Sequence, residues 1–230
     1  MLKEDMIKRY EGAPWFKNPR HVTIIGAGST GSHLAYLLSK QVDSITVYDP
    51  DVIEPQNIGV QLYSPSQLGM LKVVALRENL KALNAKDGLI IQIHEDHWDS
   101  SAPYDGSDII FSCVDNIQTR RDLAQSWQAG KTFIDIRVSA ERGELFVVRD
   151  QASLEAYMTS LEGDFPDQTC TFQMTVQCAT MMACMAVQVY NNLCVGLVAP
   201  FHIYFTGPLM KFEHEMLPSS YMAAAVPSSD

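Results

Sequence analysis

A glycine turn, Gly26-Ala27-Gly28-Ser29-Thr30-Gly31, stands about 20 residues ahead of an acid, Asp49, with a β-branched run on either side. Those residue types at that spacing suit a nucleotide. Gly26 permits a tight turn, Gly28 puts no Cβ between the backbone and a phosphate, and Gly31 lets a helix pack close to a strand. The unpaired N–H groups at the start of that helix, and the positive end of its dipole, welcome an anion. Asp49 is spaced to take both ribose hydroxyls. The competing reading is a glycine turn that only packs the helix.

These residues need elements to hold them. Val22 to Ile25 reads as a strand and Ser44 to Tyr48 as a second, with a helix between them whose Leu34, Leu37, Leu38 and Val42 share a face. Asp51 to Ser66 is a long irregular segment with prolines, placed where loops are usually functional. Ser66 to Leu83 predicts a helix with Leu68, Leu71, Val74, Ala75, Leu76 and Leu80 inward, carrying Lys72 and Arg77. Leu89 to Ile93 is a strand. His94 and His97 follow it as an HxxH pair with no matched third ligand, which reads as surface polarity. Asp108 to Ser112 is a buried strand ending in Cys113-Val114-Asp115-Asn116, and a helix from Thr119 to Ala129 stops at Gly130. Phe133 to Val138 and Leu145 to Val148 are strands with Gly143 in the turn.

Strands alternating with helices predict an α/β, Rossmann-like fold: a mostly parallel sheet with helices on both faces. Ligands of such sheets sit outside the carboxyl ends of the strands. Asp49, Asp115 and the long loop all lie at those ends, so three separate stretches converge on one crevice. A single domain over 1–230 is expected, with a short C-terminal helix and strand extension. Residues 149–170 are polar and broken by Gly163 and Pro166, and read as a mobile connection. Thr171 to Val195 reads as a helix rich in Met, Ala and Cys, Phe201 to Phe205 as a strand, and Lys211 to Glu213 as its continuation. The tail from Pro218 reads as disordered. Residues 1–20 read as a short helix, Leu2 to Tyr10, and a loop. They form either a solvated arm or an arm that reaches a nucleotide pocket.

Composition narrows the classes. The 230 residues carry 17 basic and 27 acidic side chains, a net charge of −10, without the basic stripe of a nucleic-acid binder. The five cysteines, an odd number with no CxxC, make neither a disulfide framework nor a four-cysteine zinc site, so no zinc is expected. A charged N-terminus, MLKEDMIKRYEG, is no secretory signal, and a reducing cytoplasm fits best. From Gln168 to Met210 there is no Asp, Glu, Lys or Arg, yet glutamines and asparagines interrupt the run and Pro200 ends it. A buried helix at a subunit interface is the expectation, not a membrane span.

The glycine turn, the acids of VYDPDVIEPQNIGVQLY, Lys72 in LGMLKVVAL, and SCVDN occur in that order. In this the chain resembles the adenylating enzymes of the ubiquitin-activating (ThiF-like) type, which include the molybdopterin-synthase and thiamine sulfur-carrier adenylyltransferases. The resemblance runs from about Val22 to Val148 and is fainter outside. It implies ATP- and Mg²⁺-dependent activation of a carrier protein's Gly-Gly-type C-terminal carboxylate as an acyl-adenylate. The carrier would be ubiquitin-like or sulfur-carrier-like, and the enzyme a homodimer. By residue, it implies that Gly28 lines the phosphate path and that Asp49, with Asp51 nearby, holds the ribose. Asn57 and Gln61 sit by the phosphates, Lys72 neutralises them, and Asp115 binds Mg²⁺ with Asn116 close by. The chemistry agrees. A carboxylate attacking ATP joins two anions, so the site must supply positive charge and placement rather than a strong base. A plain surface-helix Lys72 and a strand-end Asp115 that caps the next turn are the competing readings.

The match has departures. The family's Arg-Gln is Val60-Gln61 in this chain, which removes a fixed cation from the triphosphate. Arg77, Arg9 or Arg20 is expected to compensate, and Arg9 is the candidate for the arginine that relatives insert from a partner subunit. Some relatives pass the carboxylate to a cysteine. Cys170 is the candidate thiol, with burial as the competing reading, while Cys113, Cys178, Cys184 and Cys194 read as small core hydrophobes. Two further functions stay open: a degenerate relative that binds nucleotide or partner without catalysis, and an NAD-dependent oxidoreductase.

Overall fold

The computed structural model describes residue 13 and residues 20–83, 88–100, 106–162 and 175–218. Arg9, Cys170 and the residues after 218 lie outside them.

One eight-stranded sheet organises the molecule, in the order β3-β2-β1-β4-β5-β6-β7-β8. Its strands are β1 (His21–Ile25), β2 (Ser44–Tyr48), β3 (Ile90–His94), β4 (Ile109–Ser112), β5 (Thr132–Ser139), β6 (Arg142–Val148), β7 (His202–Thr206) and β8 (Lys211–Glu215). The first five are parallel, with Val22 opposite both Ile45 and Ile109, and Ile109 opposite Thr132. The last three add on antiparallel. The parallel centre is covered on both faces, so β1 and β4 are almost continuously apolar and buried rather than alternating.

Five helices supply the cover: α1 (Ser29–Leu38), α2 (Lys72–Leu83), α3 (Ile117–Gln125), α4 (Gln151–Thr159) and α5 (Val176–Cys194). One face packs Leu34 and Leu38 of α1, Leu76 and Leu80 of α2 and Met182, Ala186 and Tyr190 of α5 on β1, β2 and β5. The other packs Leu123 of α3 and Tyr157 of α4 on Phe133 and Phe146. The β1–α1–β2 unit therefore stands as the sequence predicts, except that α1 ends at Leu38, so Val42 is buried beyond the helix rather than on its face. Each fully buried Leu, Ile or Val in these layers contributes roughly 1.5–3 kcal/mol. Among the described residues no helix is long and apolar enough to cross a membrane.

Several boundaries differ from expectation, each for a local reason. The helix expected from Ser66 starts only at Lys72, because Gly69 turns with φ +81° and Leu71 bridges back to Val52. Leu68 is therefore exposed rather than inward. This fold-back places Lys72 at a helix start beside Asp51. Residues 149–170, expected as a mobile connection, contain helix α4: Asp150 accepts the Ser153 N–H and the Ser153 hydroxyl takes the Asp150 N–H. Helix α3 spans Ile117–Gln125, not Thr119 to Ala129, because Asn116 caps it by accepting the Thr119 N–H. Helix α5 begins at Val176 behind the Thr175 cap. Lys211–Glu215 does not continue β7. Met210, at φ +47°, turns the chain back and makes it a separate edge strand. Cys184 is exposed, against the core reading, because α5 turns it away from the sheet; Cys178 and Cys194 are buried as expected.

Candidate functional site

Strand order reverses between β1 and β4, and a cleft of about 710 Å³ opens there, outside the carboxyl ends of the parallel strands. Gly26, Gly28, Asp49, Asp51, Asn57, Gln61, Lys72, Asp115 and Asn116 all line it. Of the expected nucleotide residues with described positions, Gly31 alone is not at the wall. It works underneath, where a Cβ would fall 1.8 Å from the Gly26 carbonyl oxygen.

The glycine turn is fixed from three directions. The Gly26 N–H donates to the Tyr48 carbonyl at 2.9 Å, which ties the turn to β2. Asp49 Oδ2 accepts the Ala27 N–H at 2.6 Å, and Tyr63 Oη donates to the Ala27 carbonyl at 2.7 Å. Both sides of the Ala27 residue are thus held by buried side chains. Gly28 differs from its neighbours: the nearest atom to a Cβ there is Gln61 Nε2 at 4.0 Å, so the space above it is open cleft. Its missing side chain leaves room for a ligand, not for protein.

Asp49 does local work as well as facing the cleft. Its Oδ1 accepts the Asp51 N–H at 2.9 Å. Burial pushes its carboxyl above the ordinary range, against the pull of Lys72 and of the two backbone N–H groups. Lys72, with only 9% of its side chain exposed, bonds Asp51 at 2.7 Å, while Asp51 is 62% exposed. The ammonium is therefore held at the wall by an acid that a ligand can displace. Asn57 Oδ1 accepts the Glu54 N–H and closes a short turn in the long loop. The Gln61 Oε1, buried, has no hydrogen-bond partner among the described residues. The amide nitrogen of the same side chain is the atom nearest the open space over Gly28. Asp115 is exposed at the end of β4, one residue before the Asn116 cap.

Two parts of the wall were not expected. His97, read as surface polarity, does face the cleft, with Asp96 and Trp98 beside it. Arg120, in the first turn of α3, also lines it. Arg77 and Arg20, the described candidates for a compensating cation, do not. Arg120 Nη2 donates to the Val114 carbonyl at 2.5 Å, and its Nε lies 3.3 Å from Oδ1 of the fully buried Asp135. The other oxygen of Asp135 takes Arg137 Nε at 2.7 Å. Burial would raise the Asp135 carboxyl, but Arg120, Arg137 and hydrogen bonds outweigh it and hold it below the usual range. Cys113 adjoins this group, and burial pushes its thiol far up, away from nucleophilic use.

Comparison with known proteins adds the ancestry. Residues 17–218 match the ThiF family. The chain is similar to ubiquitin-like modifier-activating enzyme 5 of Caenorhabditis elegans, 29% identical over 114 residues, which cover 43% of this chain and 27% of that protein. It is similar to the Rattus norvegicus enzyme of the same name, 26% identical over 129 residues, 46% of this chain and 32% of that one. The match thus reaches about a third, or less, of these relatives' length. Among solved structures, Escherichia coli MccB with ATP superposes with a TM-score of 0.66 at 15% identity, covering 90% of this chain and 67% of that one. PaaA superposes with a TM-score of 0.67 at 15% identity, covering 87% and 64%. At that identity these structures establish the shared fold.

Proposed function

This chain belongs to the ThiF family, and from that premise we propose that it adenylates the C-terminal carboxylate of a ubiquitin-like or sulfur-carrier-like protein. The observation that carries the reading is the meeting of Gly28, Asp49, Gln61, Lys72 and Asp115, from five separate stretches, around one cleft. A carboxylate oxygen of the carrier attacks the α-phosphorus of ATP. The new C(O)O–P bond forms as the bond to the bridging β-oxygen breaks, and pyrophosphate leaves with that electron pair. The wall's part is placement and charge. Open space over Gly28 lets the phosphates lie on the turn, Asp49 and Asp51 face the ribose, and Lys72 exchanges Asp51 for a phosphate oxygen.

Asp115 suits Mg²⁺. It is an exposed carboxylate, and among the described residues no group of three or more His, Cys, Asp or Glu gathers. A hard ion that keeps water and phosphate oxygens needs no fuller protein cage. Bound there, the ion would offset phosphate charge. Transfer to a thiol would fall to Cys170, since none of the described cysteines is both exposed and at the cleft.

The test is exchange of labelled pyrophosphate into ATP with a panel of small β-grasp carriers ending in Gly-Gly. Exchange should need carrier, ATP and Mg²⁺ together, and Asp115→Asn should lower it about 10²-fold. ATP binding with no exchange across the panel would favour a degenerate relative instead.

We also propose a homodimer. Exposed Val176 and Phe212 flank an uncharged apolar groove on α5, with Met181, Cys184 and Met185 between them. In a chain of net charge −10, an uncharged surface is the one on which two copies repel least. Light scattering at micromolar concentration should give twice the chain mass, and a monomer would remove this proposal.

A further inference from the structure

We propose that Arg120, clamped from behind by Asp135, is the second fixed cation of the triphosphate subsite, across the cleft from Lys72. The inference rests on the ATP reading above and adds to it a residue and the device that positions it.

The charge inventory of the wall motivates it. Among the described residues, five carboxylates line the cleft against two cations, Lys72 and Arg120. Magnesium ATP is itself a net anion, so such a cleft would repel it unless the few cations were well placed. Lys72 already leans on Asp51. The other cation is the Arg120 guanidinium, whose own acid partner, Asp135, is buried and is not part of the cleft wall.

Its setting is that of a held group. The side chain is only 12% exposed, and the Asp135 carboxylate 3.3 Å behind its Nε has no exposure at all. Asp135 is in turn fixed by Arg137, whose Nη2 donates to Ser160 Oγ at 3.1 Å and whose guanidinium lies over the Phe146 ring. The carboxylate is therefore anchored in the sheet, and Arg120 is anchored to it. Among the described residues the Arg120 guanidinium donates one hydrogen bond, to the Val114 carbonyl. Its fork keeps donors for a ligand. An arginine held in advance loses little freedom when it binds an oxyanion, and the planar fork suits phosphate oxygens.

Position selects the phosphates over the rest of the nucleotide. Asp49 and Asp51 stand at the end of β2, the glycine turn at the end of β1, and Val114, Asp115 and Arg120 at the end of β4, in that spatial order. A nucleotide with its ribose at Asp49 and its α-phosphate on the turn extends its outer phosphates toward Arg120.

Calorimetric titration of the whole chain with magnesium ATP and with AMP tests this. Arg120→Gln should weaken ATP about 10- to 100-fold and leave AMP within about twofold. Arg120→Lys should recover part of the loss. Asp135→Asn should move ATP in the same direction, with AMP spared. Equal ATP affinity in Arg120→Gln and the parent chain overturns the proposal. So does an equal loss of ATP and AMP, which would mark Arg120 as a purely structural residue. A parent chain that binds no ATP would instead sink the nucleotide reading itself.

Discussion

Lys72→Ala should cut carrier-dependent pyrophosphate exchange by about 10²- to 10³-fold while the chain stays folded. The size follows from where the charge sits. The ammonium is almost buried in the cleft wall, where water screens it poorly. Removing it leaves Arg120, among the described residues, as the one Lys or Arg in a wall that carries five carboxylates. The folded state loses little by comparison. Helix α2 keeps Val73, Leu76 and Leu80 in the core, and the lost partner, Asp51, is solvated. Lys72→Arg restores charge but not shape, since a flat fork replaces a compact ammonium, and should recover only part of the rate. Exchange by Lys72→Ala within about threefold of the parent would remove Lys72 from the chemistry.

The parts of the site that were legible in the sequence are those written locally. The glycine turn and Asp49 belong to one β1–α1–β2 unit, whose spacing dictates geometry, and Asp115 follows three residues after the buried strand β4. Their convergence needed only the rule that strand ends share a crevice in such sheets. Lys72 reaches the cleft wall by a route the periodicity hides. The inward-looking leucines from Leu68 suggested a longer helix, whereas Gly69 breaks it and the fold-back sets Lys72 beside Asp51.

What was not legible depends on partners far apart in the chain. Arg120 looks like one more basic residue on a polar helix, and its clamp, Asp135, belongs to the following strand. The sequence shows only the nearer half of the clamp: Asp135 and Arg137 stand two apart in the otherwise apolar stretch Phe133 to Val138, and a buried acid there needs a cation, which Arg137 supplies by itself. Tyr63 was hidden in the same way, since its hydroxyl serves a carbonyl 36 positions earlier. Helix α4 is hidden by the polar composition of its surroundings, although Asp150 and Ser153 form a capping pair that marks a helix start. The reversal into β8 turns on a left-handed Met210, which nothing in its residue type announces.

Gly31→Ala and Gly28→Ala should separate what the turn does for the fold from what it does for the ligand. At Gly31 a methyl would lie 1.8 Å from the Gly26 carbonyl oxygen and 3.3 Å from Cys113 Cβ. The turn cannot recoil. Gly26 itself sits at φ +96° with the Cys113 carbonyl 2.7 Å from where its own Cβ would be, and its N–H is bonded to Tyr48. The other way out is for α1 to move off the sheet, which unpacks Leu34 and Leu38. Alanine's better helix propensity returns at most about 1 kcal/mol, so a net loss of about 2–4 kcal/mol in urea unfolding is expected, with weaker ATP binding alongside. At Gly28 the same methyl enters open cleft, so stability should change by less than about 1 kcal/mol while ATP affinity falls at least about tenfold. The sign of each difference carries the argument. If Gly28→Ala binds ATP like the parent, the space over the turn is not the phosphate path, and the glycine turn serves the fold alone.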